Sequence, residues 1–235
     1  MTISETMELL KGYGNDQTKK TYLKHGAQEP LYGVKVGDLK KILKKTKKNH
    51  ELALELYATG NSDAMYLAGL MADEKKMTKS DLKNWIERAY WYYLSEYAVP
   101  WIAYETKFGF ELGLEWIESD DENTAAAGWQ TLSCISSIKA DEELDLKIYG
   151  NLLDRAANTV HDAKNRVSMS MNAYIIAIGS NIASLTDKAM ILAKKIGVVD
   201  VNMGDTACKV PLAKTYIQKV IDKNRIGRKR KTARC

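Results

Sequence analysis

The sequence predicts an all-α protein built from short helices that pack in antiparallel pairs. Apolar residues recur at three- and four-residue spacing along most of the 235 residues, which is the period of an α-helix. The segments that carry this pattern are about 10–16 residues long, a length typical of helical repeats. Only three prolines and fifteen glycines interrupt the pattern. Short polar turns between the segments favour neighbouring helices that run in opposite directions.

The helices can be placed in order along the chain. Residues 36–47 have an apolar stripe opposite a lysine-rich face. Ser62 or Asp63 is expected to cap the helix that follows residue 60, and Thr78 or Ser80 the helix after it. Further helices are predicted at 52–57, 91–106 with Pro100 as an interruption, 107–118, 122–136, 142–157, 163–179 and 184–195.

One segment departs from the helical pattern. Residues 198–210 contain two β-branched runs, Val198–Val201 and Thr206–Val210, on either side of residues 202–205. Because Asn202 and Gly204 belong to the residue types that adopt the positive φ of tight turns, the segment predicts a small β-hairpin. A final helix is predicted to begin at Pro211, with an apolar stripe of Ala213, Tyr216, Ile217 and Val220.

Composition indicates one domain, residues 1–235, that ends in a basic tail at 222–235. No linker rich in proline, glycine or serine divides the chain. The acidic start and the absence of a run of about 18 apolar residues argue against a secretory signal and a membrane span. Three widely spaced cysteines without a C-x-x-C pair favour a cytoplasmic protein without disulfides or zinc. We expect a monomer that needs no metal and no cofactor.

Charge is unevenly distributed along the chain. The net charge is +5, with lysines concentrated at 35–48 and mixed basic residues at 223–234, while 111–145 is acidic. Separate basic and acidic regions are expected if one face of the protein meets phosphates. The alternatives are a solvated lysine-rich surface, a solubilising tail and a basic string that merely resembles a nuclear-localisation signal.

The aromatic run at residues 90–93, Tyr-Trp-Tyr-Tyr, is the most unusual composition in the chain. Since successive helical residues point about 100° apart, some of these rings must be partly exposed. Exposed rings suit stacking on sugars or bases, and lateral packing between repeats is the alternative. The sequence has no nucleotide-binding or hydrolase motif, and the histidines, which we interpret as surface or capping residues, are scattered: His25, His50 and His161.

Several short motifs resemble a known family. Pro30–Val34 (PLYGV), followed by Leu39 and a lysine-rich helix, resembles the N-terminal signature of the AlkD-type HEAT-like repeat alkylpurine DNA glycosylases. Ala64–Ala72 and Trp116–Asp121 are similar to later segments of that family, and the likeness spans most of residues 20–195. The resemblance implies HEAT-like antiparallel repeats that form a curved α-solenoid and wrap DNA in a basic concave face.

The chain departs from the active glycosylases at their catalytic positions. Trp91 matches the tryptophan of the family's cleft, but Ser95 stands four residues later, where the active enzymes have an aspartate that stabilises the cationic sugar. A hydroxyl cannot supply that charge, and the neighbouring Glu96 points about 100° away on a helix. The positions of the family's cleft arginine and second tryptophan fall near Ala125 or Ala126 and near Met171.

These departures resemble the AlkF/AlkG branch of the superfamily, whose members carry a β-hairpin, lack alkyl-base excision and have affinity for branched DNA. The resemblance implies a protein that recognises DNA backbone and shape without excising a base, and therefore no catalytic residue. One alternative is an N-alkylpurine glycosylase with weak activity on 3-methyladenine or 7-methylguanine, for which Glu96 is the candidate carboxylate. Another alternative is a protein–protein scaffold.

The DNA partner would meet aromatic and basic side chains. Phosphate contacts from lysine and arginine fix position, and aromatic rings stack on bases. The predicted DNA-binding residues are Trp91, Tyr92, Lys164, Arg166, Lys194, Lys195, Lys209, Lys214, Arg228, Lys229, Arg230 and Lys231.

Overall fold

A computed structural model describes residues 1–204, 206–232 and 234, and that part of the chain contains thirteen α-helices and no strand. The predicted all-α class is confirmed, and α1 and α2 are helices that the pattern analysis did not locate. The helices are α1 (Ile3–Gly12), α2 (Asp16–Lys24), α3 (Val36–Thr46), α4 (His50–Ala58), α5 (Ser62–Met71), α6 (Lys79–Glu87), α7 (Val99–Ala103), α8 (Gly109–Trp116), α9 (Glu122–Ile138), α10 (Leu146–Thr159), α11 (Asn165–Asn181), α12 (Thr186–Ile196) and α13 (Ala213–Asp222).

The helices belong to two compact units. Unit 1 holds residues 1–108 and, from the C-terminal part, Met203, Gly204, Thr206, Ala207 and Arg234. Unit 2 holds the described residues of 109–202 and 208–232. The single-domain organisation stays a prediction. Among the described residues no single helix is long and apolar enough to cross a membrane. One pair of consecutive helical segments, α11 and the segment 183–196 that contains α12, has the length and composition of a membrane span when taken together, but the pair is bent by 117°.

Unit 1 is built around α5, whose ten residues are all buried. A helix that is apolar on every side is stable only in the centre of a unit, and α5 packs against α3, α4, α7 and the segment before α7. Gly69 allows the closest approach, because a Cβ at that position would lie 2.8 Å from backbone atoms of Ala98.

Unit 2 is built around α9 and α11, two seventeen-residue helices that pack on each other. The rings of Trp129 and Tyr174 meet edge to face, with centroids 5.1 Å apart. The hydroxyl of Tyr174 donates to the carbonyl of Tyr149 at 3.1 Å, and the hydroxyl of Tyr149 donates to that of Leu132 at 3.4 Å. The polar ends of these buried tyrosines are therefore satisfied, as burial requires.

Side-chain caps mark most helix starts. Thr78 caps α6, as the sequence predicts, with Asp81 completing a capping box. The cap predicted for α5 is wrong: Asn61, rather than Ser62 or Asp63, accepts the N–H groups that open this helix, at 3.1 and 3.2 Å. Gly60, at φ +71°, ends the preceding turn and leaves Asn61 at the cap position, so Ser62 and Asp63 lie inside the helix.

The predicted β-hairpin near residues 198–210 is wrong for the described residues, and Asp205 lies outside them. A lone two-stranded ribbon is marginal in water. The described part of the segment is instead a single extended stretch without a partner strand. Val199 and Val201 are buried, and the side chain of Asn165 forms two hydrogen bonds with the backbone of Asn202. The Asn165 amide donates to the Asn202 carbonyl at 2.9 Å, and its oxygen accepts the Asn202 N–H at 2.6 Å.

Candidate functional site

An aromatic cluster lies in unit 1 beside the N-terminal end of α5. Trp91 and Tyr93 are stacked, with ring centroids 4.5 Å apart and planes 18° from parallel. Tyr22 of α2 lies 5.6 Å from Trp91 and 5.3 Å from Tyr93. Tyr66 of α5 lies 5.6 Å from Tyr93 on another side. Three separate helical segments therefore supply one group of rings.

A π-helical turn, Tyr93–Ala98, carries part of this cluster. Pro100 has no N–H for the carbonyl four residues earlier, so the regular hydrogen-bond pattern is broken at this point. The backbone forms a wider, π-helical turn at this point, and α7 follows directly after it. Single π-helical turns of this kind occur often at functional sites.

Trp91 and Tyr92 have different surroundings although both are predicted to bind DNA. Trp91 is only 4% exposed, and its indole Nε1 donates to the hydroxyl of Ser62 at 2.8 Å. Tyr92 is half-buried and meets the ring of His25 edge to face at 6.0 Å. Trp91 thus corresponds to the packing alternative, and Tyr92 is the member of the pair that reaches solvent.

The space enclosed by the cluster is small. A cavity of about 10 Å³ lies among Tyr22, Val34, Ser62, Asp63 and Trp91. A single water needs about that volume, whereas pockets for small molecules are typically some hundreds of Å³. In this conformation the cluster has no room for a nucleobase.

Asp63 fixes the loop that borders this cavity. Its carboxylate accepts three backbone N–H groups, from Tyr32 at 2.6 Å, Gly33 at 3.0 Å and Val34 at 2.9 Å. Burial raises the pKa of Asp63, while the three N–H donors and the more distant Lys19 oppose that rise. The PLYGV motif is therefore a loop that wraps a buried carboxylate. Sequence reasoning did not find this role for Asp63.

Most of the predicted cations are exposed on unit 2. Lys164 donates to the carbonyl of Asp120, and Lys195 donates to the side-chain oxygen of Asn158 at 2.9 Å. Arg166 is half-buried, and its backbone N–H donates to Glu122 at 2.6 Å. The remaining cations with exposed side chains are Lys194, Lys209, Lys214, Arg228, Arg230 and Lys231.

Lys229 differs from its neighbours in the basic tail. Its ammonium donates to the carbonyls of Ser136 at 2.8 Å and Asn181 at 2.7 Å, and it pairs with Asp141 at 2.7 Å. Its side chain is 20% exposed. These carbonyls lie in the last turns of α9 and α11, where the helix dipole favours a cation. Lys229 therefore holds the tail against unit 2.

Most of the chain matches a known protein family. The family model described as "DNA alkylation repair enzyme" matches residues 6–195. The chain belongs to this family. The match covers both the aromatic cluster of unit 1 and helices α8–α11 of unit 2, and it confirms the resemblance on which the sequence interpretation rests.

Individual proteins also match nearly the whole chain. An uncharacterized protein of Listeria monocytogenes is 38% identical over 216 residues, which are 89% of this chain and 93% of the relative. One from Listeria innocua is 37% identical over 225 residues, or 93% and 96% of the two chains. A solved structure covers 100% of both chains with a TM-score of 0.92 and 37% identity. That protein is described as belonging to a new family related to the HEAT-like repeat DNA glycosylases with affinity for branched DNA structures. The HEAT-like fold is thereby confirmed.

The residues that the sequence resemblance aligns with the catalytic positions of active glycosylases are buried in this structure. Ser95 is completely buried, and its hydroxyl donates to the carbonyl of Trp91 at 3.3 Å. Glu96 is 5% exposed and lies within the π-helical turn. Ala125 and Ala126, near which the family's arginine is expected, are buried residues of α9.

One arginine of unit 2 was not singled out from the sequence. The guanidinium of Arg155 pairs with the carboxylate of Glu118 through two nitrogens and lies 5.8 Å from the ring centroid of Trp129. The nearest sequence signal is the WIES motif, which supplies Glu118. Within the described part of the chain, histidine, cysteine and acidic residues form no group of three that could hold a metal ion.

Proposed function

We propose that this protein binds DNA through its backbone and shape, prefers branched or distorted DNA, and does not excise bases. The observation that carries the proposal is the full-length likeness, at 37% identity, to a protein of a family with affinity for branched DNA. We propose further that it acts as a monomer in the cytoplasm.

Phosphate contacts would come from the exposed cations of unit 2. Lysine and arginine side chains bind phosphate oxygens without reading sequence, which suits recognition by shape. Each neutralised phosphate releases counterions, so affinity should fall steeply as salt rises. The filled aromatic cluster supports the absence of base excision, because a cavity of about 10 Å³ does not admit an extruded base.

A gel shift at several salt concentrations tests this proposal. Linear duplex, bubble, three-way and four-way junctions of matched length and composition would be compared at each concentration. We expect tighter binding to the branched forms and a linear fall of log K with log salt, with a slope of about −0.9 for each phosphate contact. Equal affinity for all four DNAs, or affinity that is flat in salt, would contradict it.

The second candidate is a weak N-alkylpurine glycosylase. The description of the family as repair enzymes and the buried carboxylate of Glu96 favour it. The test is release of 7-methylguanine from alkylated DNA by the wild type and by Glu96→Gln. We expect both to match the spontaneous rate. Release well above that rate, reduced about 10²- to 10³-fold in Glu96→Gln, would instead indicate a charge that stabilises the transition state.

A further inference from the structure

Large apolar side chains are exposed mainly in one part of unit 2. Six such residues are exposed in the described chain, and four of them lie between residues 191 and 216: Ile191, Val198, Leu212 and Tyr216. The sequence pattern predicts that Tyr216 belongs to the buried stripe of the last helix. The structure exposes 46% of this residue, so its ring is available to a partner.

Tyr216 lies on a mixed aromatic and basic stripe of α13. Ala213 and Ile217 form the buried face of this helix. At 100° per residue, Leu212, Tyr216, Lys219 and Lys223 fall within a sector of about 60° that adjoins this buried face. The ammonium of Lys219 lies 4.9 Å from the centroid of the Tyr216 ring, a cation–π contact.

The charge around this stripe identifies the chemistry of its partner. Residues 190–219 contain five lysines and two aspartates, which favours a polyanion. A protein interface is disfavoured because lysine is depleted where partners bury each other's surface. Insertion into a bilayer requires a broad apolar face, whereas Thr215, Gln218 and Asp222 occupy the rest of the exposed side of α13.

We propose that Tyr216 stacks on an unpaired base of branched or opened DNA while Lys219 and Lys223 contact the adjacent phosphates. An exposed tyrosine beside cations is the usual means of binding single-stranded segments, because every base has a face on which a ring can stack. A continuous duplex hides those faces, so the contact would add affinity only where bases are unpaired. This inference rests on the proposed function and deepens it.

The test compares Tyr216→Ala, Tyr216→Phe and the control Ile191→Ala, which removes another exposed apolar side chain of unit 2. We expect Tyr216→Ala to weaken binding to bubble DNA about 5- to 100-fold, as loss of one stacked base does, and binding to linear duplex less than twofold. Tyr216→Phe and Ile191→Ala should bind as the wild type does. The salt slope should not change in Tyr216→Ala, since no phosphate contact is lost, but should fall by about one unit in Lys219→Ala.

A Tyr216→Trp variant gives a direct signal that does not depend on affinity. Its additional fluorescence, relative to the wild type, should be quenched by bubble DNA and not by duplex. If the wild type binds branched DNA preferentially but Tyr216→Ala retains that preference, the inference fails and the proposed function stands. If the wild type binds no DNA, the proposed function fails. Binding to phosphatidylglycerol vesicles that requires Tyr216, with bubble binding unaffected, would also overturn the inference.

Discussion

Replacing Asp63 with asparagine is expected to lower the free energy of unfolding by about 2–4 kcal/mol, the range for a buried, hydrogen-bonded charge that loses its match. The carboxylate accepts three N–H groups through two oxygens. An amide has one oxygen, so at least one of those donors would face the amide NH₂ instead. Asp63 is 2% exposed, so bulk water does not reach the unpaired donor.

Urea unfolding followed by circular dichroism would measure this effect. The control is Asp16→Asn, which changes an exposed aspartate of α2 in the same unit and should alter stability by less than about 0.5 kcal/mol. Amide exchange at Tyr32, Gly33 and Val34 should also become faster in Asp63→Asn. If the two variants are equally stable, the loop around Asp63 is held by other contacts and our interpretation of the motif is wrong.

The helical class and most helix positions follow from apolar periodicity, which depends on neighbouring residues alone. The cap of α5 does not. Asn61, Ser62 and Asp63 are all residue types that cap helices, and the choice among them depends on where the preceding turn ends. It depends also on the carboxylate of Asp63, which accepts backbone N–H groups of a loop about thirty residues earlier in the chain. A local sequence pattern does not contain that information.

The error at residues 198–210 has a similar origin. Alternating β-branched residues fit an extended strand, but they equally fit a single extended segment whose side chains are buried. Val199 and Val201 are buried, and the side chain of Asn165 supplies hydrogen bonds that a partner strand would otherwise provide. The partner is a side chain 37 residues away, so period alone cannot distinguish the two structures.

The sequence predicts which types of residue form the candidate site, but it does not show which of them are exposed to DNA and which stabilise the fold. A basic tail signals phosphate binding, yet nothing in the order Arg-Lys-Arg-Lys shows that the side chain of Lys229 is held by helix carbonyls. Tyr216 has the spacing of a buried residue because it lies at the edge of the apolar face of α13. Only the packing of α13 decides that its ring is exposed.

Removing three exposed cations from the end of the tail is expected to have the largest effect on DNA binding. In the triple variant Arg228→Ala, Arg230→Ala, Lys231→Ala, the slope of log K against log salt should fall by about three units, one for each lost contact. Affinity at about 0.1 M salt should fall by roughly two orders of magnitude. Linear and branched DNA should be affected alike, because both present phosphates, whereas Tyr216→Ala should affect branched DNA alone.

Lys229→Ala is the matched control within the same tail. Its ammonium holds the carbonyls of Ser136 and Asn181 and pairs with Asp141, so its loss should lower stability by about 1–3 kcal/mol and leave the salt slope unchanged. Isothermal titration at three salt concentrations, with unfolding measured in parallel, separates the two effects. A wild-type slope in the triple variant would place the phosphate contacts elsewhere. A reduced slope in Lys229→Ala would show that this lysine leaves the helix ends and reaches DNA.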